Sequence, residues 1–115
     1  MLTRTRSSLA ICTAIFLAAF PQIPAYAAPP KSSEFLAYSE GQRAWWLAGA
    51  VEATSHAIYQ IDPKKGDCIA DWYFKGDGEK QRQKEIEDTM QKYPDHAPSS
   101  VLLALVQKSC GKIKQ

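Results

Sequence analysis

The sequence predicts a small all-α domain, a single-core bundle of four or five helices stapled by one disulfide. Three observations carry that expectation. Residues from about 40 to 60 hold apolar side chains at helical spacing throughout. Two later segments, near 79–92 and 98–110, repeat apolar residues three and four apart between recognisable helix starts and stops. Beyond the first segment of the chain only two cysteines remain, Cys68 and Cys110, which allows one intramolecular pairing.

The chain opens with MLTRTRSSLAICTAIFLAAFPQIPAYA. Arg4 and Arg6 precede a twelve-residue apolar run, Leu9 to Phe20, and Pro21 and Pro24 end any helix there. Ala25-Tyr26-Ala27 then offers small residues at both cleavage-recognition positions. This is the pattern of a secretory signal peptide, residues 1–27, cleaved near Ala27. The run is well short of the roughly 20 residues needed to span a bilayer, so a retained anchor is not expected. Cys12 leaves with the signal. The expected location is the periplasm or the exterior.

Cleavage changes the charge balance. The fourteen Lys and Arg fall to twelve, equal to the twelve Asp and Glu, because Arg4 and Arg6 are lost. A neutral mature chain gives no electrostatic case for nucleic acid or an anionic membrane. In an oxidising compartment Cys68 and Cys110 are expected as a disulfide. On the chain-entropy argument that closure is worth about 4 kcal/mol, which matters for a domain with a marginal core.

Residues 28–34 read as an extended leader and 35–115 as the helical domain, with a short first helix starting at Ser32 or Ser33 across that seam. Ser39 is a natural cap for the long helix, Glu40 to about Gln60. Two adjoining apolar stripes on it, one through Trp45, Ala48, Gly49 and Ala53 and one through Trp46, Leu47, Ala50 and Val51, predict burial over more than half its circumference. Ile61 to Asp67 reads as a turn, punctuated by Pro63 and Gly66. The aromatic segment Cys68–Phe74 fits one strand or two helical turns capped by Asp67, and its helical neighbours favour the turns. A charged helix follows from about Glu79 to Lys92, its contact stripe being Ile86, Met90 and Tyr93. A proline-bounded connector, Tyr93 to Pro98, leads to the last helix, which ends at Cys110 with Gly111 as its C-terminal stop.

Candidates for chemistry are few. Asp95-His96 followed by Cys110 invites a thiol active site, but a catalytic cysteine must stay reduced, and export together with Cys68 argues for a staple. His56 and His96 are forty residues apart, with no HxxxH, CxxC or EF-hand spacing. No glycine-rich phosphate loop or nucleophile elbow occurs. The expectation is therefore a protein that is not an enzyme, with no catalytic residues, no metal and no cofactor. The aromatic residues are the larger resource. Trp45 and Trp46 diverge by about 100° on a helix, so both cannot face one core centre. Trp45, Trp72 and His96 are the candidate partner-binding residues.

The ordered series RAWWLAGAVEATSHAI, GDCIADWYF, a charged helix and KYPDHAPSSVLLALVQKSCG resembles the Rap/Tai-type immunity proteins of type VI secretion. These are small exported helical proteins with a WxxGxxxA helix, a central cysteine and a closing NP…A…V…AL…C segment. The matching positions are Trp46, Gly49 and Ala53, then Cys68, then Tyr93-Pro94, Ser100-Val101, Ala104-Leu105 and Cys110. The resemblance implies a protein that binds and blocks a secreted cell-wall amidase, with a homodimer as a further implied assembly. The alternative is an HdeA/HdeB-type acid-stress chaperone, suggested by export, helical content and one disulfide, and faintly by EFLAYSEGQR.

Overall fold

Residues 28–114 are described by the structure, a computed structural model; the signal-peptide expectation and Cys12 lie outside them. Five helices follow one another among the described residues: α1 (Ser32–Leu36), α2 (Glu40–Tyr59), α3 (Pro63–Phe74), α4 (Gly78–Lys92) and α5 (Pro98–Cys110). The all-α expectation holds, and Cys68 on α3 is bonded to Cys110 at the end of α5, with their Cα atoms 5.9 Å apart. That bond closes a loop across a sequence separation of 42.

Each helix lends the core a short run of residues at helical spacing. Leu47 and Val51 come from α2, Ile69 and Tyr73 from α3, and Ile86 and Met90 from α4, each pair four apart. Phe35 closes one end, and Val101, Leu102, Leu105 and Val106 of α5 complete the cluster. With so few buried side chains, a single large-to-small change removes a sizeable share of the core.

α2 begins as the sequence suggests. The Ser39 hydroxyl accepts from the Gln42 backbone N–H at 3.3 Å, and the Gln42 side chain accepts from the Ser39 N–H at 3.1 Å. This reciprocal pair satisfies two otherwise orphaned donors. α1 starts differently. Ser32 is no cap: it is buried, and both its N–H and its hydroxyl donate to the carbonyl of His96, at 2.8 and 2.7 Å. Lys31 takes the cap position, its N–H donating to the Glu34 carboxylate at 2.9 Å. Packing thus starts at Ser32, inside the stretch expected as leader.

The turn expected at 61–67 is mostly helix. Asp62 caps α3, its carboxylate accepting from the Lys65 N–H at 3.1 Å, and Pro63 holds the first helical position. Asp67, expected as the cap, lies within the helix and is exposed. Gly66 sits inside α3 because α2 passes so close there. A Cβ on it would lie 2.6 Å from the Tyr59 Cα. The glycine is the contact point of the α2–α3 hairpin rather than a helix breaker.

Two expectations about burial fail. Tyr93 is 52% exposed at the C-cap of α4, so the contact stripe of that helix is Ile86 and Met90 alone. Tyr93 is the C-cap, where the backbone has left helical geometry, so the helical spacing no longer carries over to it. Likewise α2 is not buried over most of its surface. Leu47, Val51 and Ser55 are its buried residues, whereas Trp45, Gly49, Ala53, His56 and Ala57 are exposed. The other helices pack on the Leu47–Val51 side of α2 and leave the stripe through Trp45, Gly49 and Ala53 uncovered.

Candidate partner-binding site

The uncovered stripe of α2 is the most distinctive surface of the domain. Trp45 is 82% exposed, the highest value among the large hydrophobic side chains described. Gly49, Ala53 and Ala57 extend from it along the helix at spacings of four, each exposed. Gln42, Glu52 and His56 border them. A bulky indole followed by small residues, edged by polar groups, has the composition of an interface core with its rim.

Trp46 stands at the edge of this face and is 39% exposed. Its ring meets Phe35 of α1 at 5.0 Å in an edge-on arrangement, and Phe35 in turn meets Tyr38 at 6.0 Å. Trp46 is thereby held from below, while Trp45, one residue earlier and about 100° around the helix, has no such support. Arg43 fixes the start of α2. Its guanidinium donates to the Glu87 carboxylate of α4 at 2.8 Å and to the Leu36 and Tyr38 carbonyls at 3.4 and 2.5 Å. The hydrogen bond to Glu87, with that carboxylate's charge and Glu40's, holds Arg43 more firmly protonated, against the opposing effect of burial. The helix that carries Trp45 is thus locked in place by charge-assisted bonds.

His96 lies exposed in the connector before α5 and stacks edge-on with Tyr93 at 5.4 Å. Its carbonyl, not its imidazole, does the structural work by accepting from Ser32. α1 consequently links the two regions, with Ser32 bonded to the His96 backbone and Phe35 packed on Trp46. Trp72 has another role. It is half-buried against the core, Arg82 lies over its ring at 5.6 Å from the centroid, and the Arg82 Nε donates to its carbonyl at 3.1 Å. The structure makes Trp72 a packing and cation–π platform rather than an exposed anchor.

The disulfide removes Cys110 from any thiol chemistry, and His96 faces no sulfur nucleophile. Among the described residues no group of three or more His, Cys, Asp and Glu side chains is arranged to hold a metal ion. No helix among them is long and apolar enough to cross a membrane. Sequence reasoning missed Tyr38, which is exposed beside Phe35. Its place just before the Ser39 cap was the available signal, because a residue outside both helices has no stripe to join.

No family model, curated protein or solved structure matches this chain.

Proposed function

We propose that this protein acts by binding another protein through the uncovered face of α2, with Trp45 as the anchor. The observation that carries this reading is the exposure of Trp45 on a helix that is otherwise well fixed. Tryptophan is enriched among the residues that dominate interface energies, and truncating such an anchor costs about 2 kcal/mol or more of binding. Gly49 and Ala53 beside it let a partner's backbone come close. His96 belongs to the same reading as an exposed contact on the far side of α1.

On this proposal residues 1–27 export the chain and the mature protein works in the periplasm or outside the cell. The ordered motifs around Trp46, Cys68 and Cys110 support a partner of the kind the immunity-protein resemblance implies: a cell-wall amidase delivered by type VI secretion, bound and blocked. The test is titration of the oxidised mature chain against purified amidases of that class on peptidoglycan. Stoichiometric inhibition by the wild type, weakened at least about 30-fold by Trp45→Ala, is the expected result. Suppression of client aggregation at acidic pH with no amidase inhibited would instead favour the chaperone reading.

A further inference from the structure

After Trp45, the most exposed large apolar side chain described is Ile61, at 76%. It stands in the connector between α2 and α3 at the mouth of a groove of about 460 Å³, whose apolar wall is Ile58 and Ile113. A second groove, of about 490 Å³, has Ile58 and Ile113 in its own wall and runs on past Ala57 to Ala53, with Leu103 of α5 opposite. The two grooves adjoin at those shared side chains, forming a trough in two parts. The eight residue steps from Ala53 to Ile61 give it a length of about 12 Å at helical rise.

The C-terminal tail forms one side of the trough and is tied down at two points. The Ile113 N–H donates to the Gln107 side-chain carbonyl at 3.3 Å, and the Lys65 ammonium donates to the Lys112 carbonyl. Charge is confined to the Ile61 end. Asp62 and Lys65 balance each other there, with the carboxylate capping α3 and lying 3.9 Å from the Lys65 ammonium. Lys64 and Lys114, which also line that end, make no ion pair among the described residues. The far half carries no charged lining residue.

We infer that this trough binds a free single-chain anionic amphiphile, a medium-chain fatty-acid carboxylate being the simplest, with its chain along Ile58, Ile113 and Ala57 and its headgroup between Lys64 and Lys114. An apolar slot with two lysines at one end that are unpaired among the described residues matches a ligand that has one charge at one end. Its length accommodates about ten extended carbons. Two lysines beside a recessed slot suit a single inserted chain better than a flat bilayer surface, for which a broader basic patch is needed. The trough shares Ala53 and Ala57 with the far end of the Trp45 face but does not include Trp45, so Trp45→Ala tests the partner-binding proposal without touching this one.

Isothermal titration of the oxidised mature chain with sodium alkanoates, kept below micelle formation, tests it. Decanoate is expected to bind one to one. Affinity should rise about fourfold per added methylene up to about ten carbons and then level off. Decyltrimethylammonium should bind at least about tenfold more weakly, as should decanoate to Lys64→Gln/Lys114→Gln, whose exposed positions leave the fold unchanged. Ala57→Trp should block the chain with the wild-type circular dichroism retained. The inference is overturned by any of three results: no saturable decanoate binding, equal affinity for the cationic analogue, or response only to anionic vesicles or acidic peptides.

Discussion

Trp45 and Tyr73 sit at opposite extremes of exposure, and each makes a prediction. Replacing Trp45 by Ala removes a ring that touches little of its own chain. Stability should change by less than about 0.5 kcal/mol in urea unfolding, although partner binding is lost. Tyr73 is only 2% exposed. Burial first, then the charges of Glu79 and Glu87, push its phenol up to about 12. Ionisation is therefore easier in the unfolded chain, where a tyrosine titrates near about 10. The contribution of the neutral phenol is fully present below pH ~10 and is lost as pH rises towards ~12. Tyr73→Phe should flatten that alkaline part of the stability profile relative to wild type, as followed by urea midpoints across that range. His96→Ala should leave stability nearly untouched, because Ser32 bonds to the backbone carbonyl of that residue.

At the scale of elements, Gly66 is the sharpest test of how α2 meets α3. Helix propensity alone says that Gly66→Ala should stabilise α3 by about 1 kcal/mol. The added methyl would instead sit 2.6 Å from the Tyr59 Cα and Cβ. Relieving that overlap means spreading the hairpin, so a net loss of about 2 kcal/mol is expected by thermal or urea unfolding. The same place marks where sequence reasoning stopped. Asp62-Pro63 is as good a helix start as it is a turn, and Gly66 four residues later tipped the reading towards a turn. Only the approach of Tyr59, a tertiary fact, explains why a glycine belongs inside α3. By contrast, the start of α2 at Ser39, and α5 between Pro98 and Gly111, were legible because their signals are local. The hydroxyl cap lies within three residues of its donor, and Gly111 takes a positive φ of 88° that side chains disfavour. Breaking the Arg43–Glu87 bond with Glu87→Ala should loosen the start of α2 and cost about 2 kcal/mol, since the guanidinium keeps its two carbonyl acceptors but loses its charged partner.

For the whole molecule the bond between Cys68 and Cys110 joins the α2–α3 hairpin to the last helix. Its pairing was legible because the expected signal peptide takes Cys12 with it and leaves two cysteines. Reduction, or Cys68→Ser/Cys110→Ser, should lower stability by about 4 kcal/mol in urea unfolding, and non-reduced peptide mapping should recover the linked pair. Which face of α2 stays uncovered was not legible. Both stripes are apolar enough to be core, and the choice is made by how many helices the chain has left to cover them. α3, α4 and α5 are committed to the Leu47–Val51 side, so Trp45 is left outside. Trp72 shows the reverse: an aromatic of equal promise on paper is taken up by Arg82 and the core. The central claim is that Trp45 anchors a protein partner. The most direct measurement is a pull-down from envelope extracts with the oxidised mature chain and its Trp45→Ala variant side by side, any captured protein being purified and retested for direct binding. The account predicts one discrete partner held by the wild type and released by Trp45→Ala with the fold intact. Equal recovery by both chains, or no specific partner alongside a hydrolase activity that disappears on His96→Ala, would contradict it.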